Sequence, residues 1–509
     1  VEKEQYNYKI YTPYEFAINM IKFSLEKYFK GNITKENLES VRILDLSCGT
    51  GNLLLVALEE LLKYSKEIYG EYRYNSKWIK GYDIDKIALE TCRSYGKEIL
   101  KKYGIDSDID ILEQDSLYLE TEKRYDIVLG NPPYLGEKNN KELFHEIKKS
   151  NFGKKYYESK MDYFYFFIEK GMDLLKQEGI LSYLTTNYWL KADSATKLRD
   201  KLKQEGSFLK IENFEFSLFK TAVGQHNIIF SWIKGIKEKE FPILEEGTVF
   251  WGDNKKIYNE KNKIILAPEY IMELNENINR KKNCYLGEVL NINQGIVTGH
   301  DEAFVFDSFR EEFRDYLKPF YKNKDVGKYK TTVEPPFWIL YLDRHVNINE
   351  KLNSHLEKFK DKLIQRREAK IGKINWWELQ WARDKEIFCK PKIVVRQRCK
   401  SNNFAYDDKE FYGSADIYYM TGKSEEIDLF YILGYLNSSI FYKWFKYNGK
   451  IKGKNLEFYS TPLKETPIFY SENIEERNHI SSLVKEQIKD YNEEVQKEID
   501  LYFYKLFGL

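Results

Sequence analysis

ILDLSCGTGNLLL, residues 43–55, ends an apolar run in an acid, turns through two glycines and opens a helical run near Asn52. Gly49 and Gly51 have no Cβ, so the backbone there can turn tightly and approach a ligand. Asp45 is expected at the carboxyl edge of a parallel sheet, where open α/β sheets bind ligands. The string is not GxGxxG and lacks the Lys-Ser/Thr pair of a phosphate loop. An acid in the turn suits a cationic or neutral ligand better than a polyphosphate. Outward from this stretch, strands are predicted at Val41–Leu46, Trp78–Ile84, Ile109–Leu112, Tyr125–Gly130, Gly179–Thr185, Ile211–Phe216 and His226–Ile233. Helical patterns separate them, at Asn52–Lys63, Lys86–Tyr103, Tyr163–Lys176 and Ala192–Gln204, and Tyr14–Phe29 precedes the first strand. Strands alternating with helices predict βαβ units and a parallel sheet.

Two further strands end in acids. In GYDIDKIAL (residues 81–89) Asp83 is placed to accept from ribose hydroxyls and Ile84 to pack on an adenine face. In EQDSL, Asp115 is placed to accept from an adenine amino group. Any one of these reads equally as a solvated loop acid. Three in order after the glycine turn make a nucleoside site the better reading.

A fourth strand, RYDIVLG, runs directly into NPPY, residues 131–134. Two successive prolines fix φ and remove two backbone donors, which stiffens the loop and leaves its carbonyls to accept. The Asn131 carbonyl and the Pro132 backbone carbonyl together suit an amino group gripped by both hydrogens. That grip takes the nitrogen lone pair out of conjugation and aims it at an electrophile. Tyr134 is placed to stack on the base that carries the amino group.

In these motifs and their order the chain resembles the gamma-class S-adenosylmethionine-dependent DNA adenine-N6 methyltransferases, the TaqI-like and Eco-type enzymes. The resemblance covers nearly the whole chain: YTP (Tyr11, Thr12, Pro13), DLSCGTG, NPPY, then a long C-terminal part containing NINQGIVTGHDEAFVF, WWELQW and LGYLNSSIFYKWF. The series RREAK, WWELQW, SADIYYM resembles the solitary clostridial adenine methyltransferases. The resemblance implies a Rossmann-like class I methyltransferase domain with a seven-stranded, mostly parallel sheet, followed by a mixed α+β DNA target-recognition domain. It implies S-adenosyl-L-methionine as cofactor, with Tyr11, Thr12, Pro13 and Asp45 toward its methionine end, Asp83 on its ribose and Asp115 on its adenine. Ser47, Cys48, Gly49, Asn52, Ile84, Ser116 and Asn131 complete the implied cofactor set. Asn131, Pro132, Pro133 and Tyr134 are implied to hold a flipped adenine. Members often place an aromatic after the fifth strand to sandwich that base. Here TTNYWLKADSATKLRD puts Ala195 at the aligned position, with Tyr188 or Trp189 as substitutes.

The pattern changes near residue 240, where we place the boundary between a catalytic domain, 1–240, and a recognition domain, 241–509. Residues 241–283 read as a linker or peripheral hairpin, and Leu286–Phe306 as strand–turn–strand. Leu429–Phe445 reads as an apolar helix, and Ile474–Phe507 as one long amphipathic helix expected to dock on its own domain. Between Lys370 and Lys400 stand nine basic and three acidic residues, interleaved with Trp376, Trp377 and Trp381. Flipping a base out of a duplex costs a few kcal/mol, and stacking on one aromatic returns about 1–3 kcal/mol, so contacts elsewhere must supply the remainder. Basic side chains position a protein on phosphates, while Arg, Asn and Gln read base edges. Gln294, Arg366, Arg367, Lys373, Trp376, Arg383, Arg396, Gln397 and Arg398 are the candidate DNA contacts, with Gln294, Arg396 and Gln397 as candidate base readers.

Composition narrows the classes. Over 509 residues, 42% are hydrophobic and 32% charged, and no run of 18 apolar residues suggests a membrane span. The N-terminus is charged and lacks the apolar core of a secretory signal. The five cysteines form no CxxC pair and fit a reducing compartment; the six histidines show no zinc spacing, so no metal is expected. A bacterial cytoplasmic enzyme is the expectation. With 81 basic and 80 acidic residues the overall charge advertises no nucleic acid, so a DNA partner requires local segregation. NPPY also occurs in enzymes that methylate protein glutamine or RNA bases, but the length that follows favours double-stranded DNA. Cytosine N4 is chemically close, though its enzymes more often carry Ser where Asn131 stands. YTP begins at residue 11, which is read as leaving no upstream nuclease, so any endonuclease would be a separate chain. One chain carrying both catalysis and recognition suggests a monomer, in a restriction-modification system or acting alone.

Overall fold

In the computed structural model Ile43–Asp45, buried along its whole length, forms strand β1 inside a nine-stranded sheet. Residues 12–119, 125–214, 216–218, 225–245 and 247–508 are described. They divide into two compact units, Val1–Glu269 and Tyr270–Leu509.

In the first unit β1 is flanked by β2 (Ile79–Asp83) and, two crossovers later, by β4 (Tyr125–Gly130), both parallel to it. β3 (Asp110–Glu113) extends the sheet beyond β2, and β5 (Leu175–Thr186) beyond β4, again parallel. The chain therefore reverses its direction of travel across the sheet between β1 and β4, the kind of crevice in which doubly wound folds bind ligands. β7 (Asn227–Lys234) inserts antiparallel between β5 and β6 (Gly206–Phe214). This order contains the seven strands expected from the sequence.

Two more strands lengthen the sheet. β8 (Glu240–Glu245) pairs parallel with β6, and β9 (Thr248–Asp253) closes a hairpin on β8. Phe241 and Ile243 of β8 are buried, and the Phe241 ring lies 5.7 Å from Phe208. These apolar contacts tie residues 240–253 to the catalytic sheet, so the boundary falls at 269–270 rather than near 240, and the sheet has nine strands rather than seven. The expected peripheral hairpin is thus an edge of the first unit.

Helix Tyr14–Phe29 matches its sequence prediction. It buries Ala17, Met20, Ile21, Leu25 and Phe29, a stripe at helical spacing. Each fully buried Leu or Ile stabilises by roughly 1.5–3 kcal/mol, so this face holds the helix against the sheet core that also contains Leu54, Leu58 and Leu61. Pro13, itself in an extended conformation, is its N-cap.

The second unit is mixed. A five-stranded sheet runs in the order Leu290–Gln294, Ile417–Gly422, Lys392–Arg396, Phe404–Asp407, Tyr329–Lys330. A four-stranded sheet is built from Val305–Phe306, Phe337–Leu340, Leu317–Tyr321 and Tyr412–Gly413. The two strands anticipated within Leu286–Phe306 thus belong to different sheets. The apolar segment from Leu429 is two helices, Leu429–Leu436 and Ser439–Asn448. Asn437 bonds both the N–H and the carbonyl of Phe404, and Ser438 caps the second helix, so this polar pair turns the chain. The last helix likewise splits into Ile474–Lys489 and Glu493–Phe507, because Asn492 accepts from the Glu494 N–H and starts a new helix. It docks within its own unit through Phe503 and Phe507 against Tyr435.

Candidate active site

The carboxyl ends of β1, β2 and β4 open on one cleft of about 2070 Å³ in the first unit. Asp45, Ser47, Cys48, Gly49, Asn52, Asp83, Ile84, Asp115 and Ser116 line it, together with Thr12, Asn131, Pro132, Pro133 and Tyr134. Pro13 is not in this lining but starts the adjoining helix, and Tyr11 lies outside the described residues.

The turn after β1 is held from both sides. The Asp45 Oδ1 accepts from the Ser47 N–H at 2.9 Å, the Cys48 N–H donates to the Tyr82 carbonyl at 2.9 Å, and the Gly49 N–H donates to Asp83 Oδ2 at 2.8 Å. Gly51 has φ +92°, and a Cβ there would come within 2.6 Å of Cys92 Sγ, so no other residue fits without displacing the turn. Asp45 is 2% exposed. Burial pushes its carboxyl up to about 7; the negative Asp83 adds to that push and the Ser47 N–H opposes it. Burial likewise raises Asp115, which caps the following short turn by accepting from the Leu117 N–H. Ile84 is 74% exposed, an aliphatic face turned outward at the rim. The Ser116 hydroxyl donates to the Leu46 carbonyl at 2.6 Å and ties two strand ends together.

At the end of β4, Asn131 Nδ2 donates to Thr12 Oγ1 at 3.1 Å, and the Tyr134 hydroxyl donates to Asn131 Oδ1 at 2.8 Å. Asn52 Nδ2 donates to the Thr12 carbonyl at 3.2 Å. Thr12 thus links the turn after β1 to the tetrapeptide after β4. The Tyr134 ring packs edge-on against Phe164, 5.7 Å between centroids.

Asp162, which sequence reasoning missed, fixes the far side of the loop. Its Oδ1 accepts from the Leu135 N–H at 2.9 Å, and its Oδ2 accepts from the Tyr188 hydroxyl. Its only sequence signal is an acid directly before the aromatic run YFYFF. Lys138, Lys141, Lys148 and Lys160, also missed, line the outer wall of the cleft. Trp189 is fully buried, donates to Thr185 Oγ1 and packs on Phe230, so it is a core aromatic. Ala195 is also fully buried. Tyr188, about half exposed, stays near the loop through Asp162 and Phe164.

In the second unit several candidate DNA contacts are bonded within the fold. Arg366, 7% exposed, donates to the carbonyls of Leu363, Thr298 and Trp376. Gln294 bonds the Ala415 carbonyl and accepts from Arg383, whose Nε donates to the Gly295 carbonyl. Arg396 donates to the carbonyls of Val326 and Lys324. The polar heads of these four side chains are bonded within their own unit, and breaking those bonds to reach a base would leave carbonyls such as that of buried Thr298 unpaired. Gln397 is half-buried, its backbone bonded to Asp416 and Phe458. Lys392, counted in the basic segment, is fully buried 3.6 Å from Asp407. Trp376 is half-buried under the Lys360 ammonium. Arg367, Lys373 and Arg398 are exposed; Arg398 pairs with Glu457 at 2.8 Å, and Lys373 lies 4.6 Å over the Trp381 ring. Among the described residues no cluster of three or more His, Cys, Asp or Glu is placed to hold a metal, and no helix is long and apolar enough to cross a membrane.

Comparison with known proteins follows the same two-part division. Residues 15–219 match the family of Eco57I restriction-modification methylases, and residues 318–468 match the TaqI-like C-terminal specificity domain. The Type II methyltransferase M.HindII of Haemophilus influenzae is 26% identical over 473 residues, covering 82% of this chain and 91% of that one. M.BanIII of Aneurinibacillus aneurinilyticus is 22% identical over 506 residues, covering 84% and 83%. Among solved structures, the Type IIL restriction-modification enzyme MmeI in complex with DNA shares the fold with a TM-score of 0.67 at 14% identity, covering 97% of this chain and 73% of that one. The nuclease-deletion mutant of the Type ISP enzyme LlaGI gives 0.52 at 15% identity, covering 95% and 55%.

Proposed function

We propose that the chain, an Eco57I-type methylase domain followed by a TaqI-like specificity domain as in restriction-modification DNA methylases, methylates adenine at N6 in a specific sequence of double-stranded DNA. The observation that carries the adenine reading is the amide of Asn131, held by Thr12 on its nitrogen and by Tyr134 on its oxygen, in the same cleft that Asp45 and Asp83 line.

S-adenosyl-L-methionine is the cofactor of this methylase family, and the residues present fit it. Two carboxylates at adjoining strand ends suit a ligand that carries a sulfonium and an ammonium. The exposed aliphatic side chain of Ile84, which lines the same cleft as Asp83 and Asp115, suits a nucleoside. In this reading Asp45 faces the methionine part, Asp83 accepts from the ribose and Asp115 from the adenine. When bound, the cofactor supplies an electrophilic methyl group.

The chain's own residues then orient the nucleophile. Asn131 Oδ1 accepts one hydrogen of the adenine amino group and the Pro132 carbonyl accepts the other. A carbonyl oxygen has two lone pairs, so the Tyr134 bond and the bond from the amino group are compatible. Holding both hydrogens turns the nitrogen lone pair out of the ring system and toward the cofactor. No strong base is required, because the amino proton becomes acidic only as the new bond forms. Cleft lysines such as Lys138 and Lys141 are candidates for phosphates near the extruded base.

The test is single-turnover methylation of a duplex carrying the recognition sequence, followed by nucleoside mass spectrometry. N6-methyladenine is expected from the wild type, and none from Asn131→Ala, with cofactor affinity retained. N4-methylcytosine, or near-normal turnover by Asn131→Ala, would overturn the reading.

A further inference from the structure

We propose that Ile371 is an apolar wedge that enters the bound DNA between neighbouring base pairs, with Arg367, Lys370 and Lys373 holding the phosphates around it. The inference rests on the reading of the chain as a DNA methylase. It adds a residue that distorts the duplex, on an element remote in sequence from NPPY.

Ile371 is 65% exposed. A single exposed Ile is ordinary on a protein surface, so its setting decides the argument. It sits at the end of the short helix Arg367–Lys370, and the backbone around it is fixed. The Ile371 N–H donates to the Arg367 carbonyl at 3.2 Å, the Gly372 N–H to the Ala369 carbonyl at 3.0 Å and the Lys373 N–H to the Glu368 carbonyl at 2.9 Å. Gly372 takes the left-handed conformation, φ +68°, that completes this pattern of paired terminal bonds. The apolar contact that often accompanies the pattern would join the positions of Lys373 and Glu368, so the Ile371 side chain is not needed to close the helix.

The base of the tip is equally rigid. Arg366 is pinned to three carbonyls of its own unit, and buried Glu368 accepts from Gln380 Nε2 at 2.7 Å. The result is an apolar side chain carried outward on a stiff mount.

The exposed charges nearest to it in the sequence are all basic. Arg367, Lys370 and Lys373 are all exposed, and among the described residues none of the three lies within ion-pair distance of a carboxylate. By contrast, Lys360 pairs with Glu357 at 2.8 Å and Lys390 with Glu386 at 2.7 Å. An exposed apolar tip flanked along the chain by three such cations suits a polyanion with stacked, apolar faces between its charged rails. Proteins that insert Ile, Leu, Phe or Met between base steps unstack the step and bend the duplex. Trp381, 37% exposed under the Lys373 ammonium, adds an aromatic beside the same ring of charge.

The experiment uses the full chain and a duplex bearing the sequence that the wild type methylates. Binding is measured by fluorescence anisotropy across a salt series. Ile371→Ala and Ile371→Ser should weaken binding about tenfold at every salt concentration without changing the salt slope, and Ile371→Met should restore it. Arg367→Ala, Lys370→Ala and Lys373→Ala should each reduce the slope of log affinity against log salt by about 0.9. 2-Aminopurine placed in turn at positions away from the target adenine should brighten at one step with the wild type and not with Ile371→Ala. An unchanged thermal midpoint establishes that the variants fold. If the wild type methylates DNA while the Ile371 variants bind with wild-type affinity and give the same 2-aminopurine signal, the wedge is overturned and the methylase reading stands. If no DNA sequence is methylated or bound by the wild type, so that no such duplex exists, the methylase reading itself fails.

Discussion

The Tyr134 hydroxyl donates to Asn131 Oδ1 at 2.8 Å, so the residue expected to stack on the target base also sets the amide that is proposed to grip it. Stacking and grip are therefore separable by substitution. Tyr134→Phe keeps the ring and loses the bond. A neutral hydrogen bond is worth about 1 kcal/mol, so kcat should fall by roughly five- to tenfold with little change in the KM for DNA. Tyr134→Ala also removes the ring, and the KM for DNA should rise as well. Steady-state kinetics on one duplex distinguishes the two.

Thr12 acts on the other end of the same amide. Thr12→Val removes the acceptor of Asn131 Nδ2 but leaves the Thr12 carbonyl that anchors Asn52. A loss in kcat of about tenfold or less is expected with cofactor affinity nearly unchanged. An equal loss of cofactor affinity would mean that Thr12 serves mainly the turn after β1.

These two residues also show what a sequence can and cannot disclose. DLSCGTG and NPPY were legible because their chemistry is local: the glycines, prolines and acids lie within a few residues of the strand end that positions them. The Thr12–Asn131 bond spans 119 positions and depends on the sheet having closed. Asp162 was invisible for the same reason. The basic segment misled in the opposite direction. Lys370–Lys400 is rich in charge, yet Arg383, Arg396 and Lys392 turn inward to carbonyls, a fate decided by the strands around them. The hairpin of β8 and β9 was read as peripheral because its burial comes from β6 and not from its own periodicity.

Asp45 predicts a pH dependence. Its carboxyl, ordinarily near 3.8, titrates near 7 in the folded protein, first because it is buried and then because Asp83 is close. A cationic ligand favours the carboxylate, so binding expels a proton. Cofactor affinity should therefore rise between about pH 6 and 8 and level off above. The stability of the cofactor-free protein should change the other way. The folded state holds the proton between about pH 4 and 7, so the contribution of Asp45 to stability declines as pH rises through that window and is fully lost above it. Asp45→Asn, which can still accept from the Ser47 N–H, should flatten both profiles. Calorimetric titration at pH 6, 7 and 8 checks the first, and a pH-independent dissociation constant would exclude Asp45 from contact with the charge.

Arg366 is expected to behave as a structural residue. Arg366→Ala leaves three carbonyls without their donor and should cost about 2–4 kcal/mol, read as a lower thermal midpoint. Lys at this position cannot reproduce the fork of donors and should restore little. A variant with wild-type stability but weakened DNA binding would return Arg366 to the DNA interface.

The most direct measurement is expression of the protein in a host free of DNA methylation, with Asn131→Ala beside it, followed by modification-sensitive long-read sequencing of the genome. The account predicts N6-methyladenine at one short sequence with the wild type and an unmodified genome with the variant. A genome carrying methylated cytosine, or left unmodified by a soluble wild type that binds S-adenosyl-L-methionine, would contradict it.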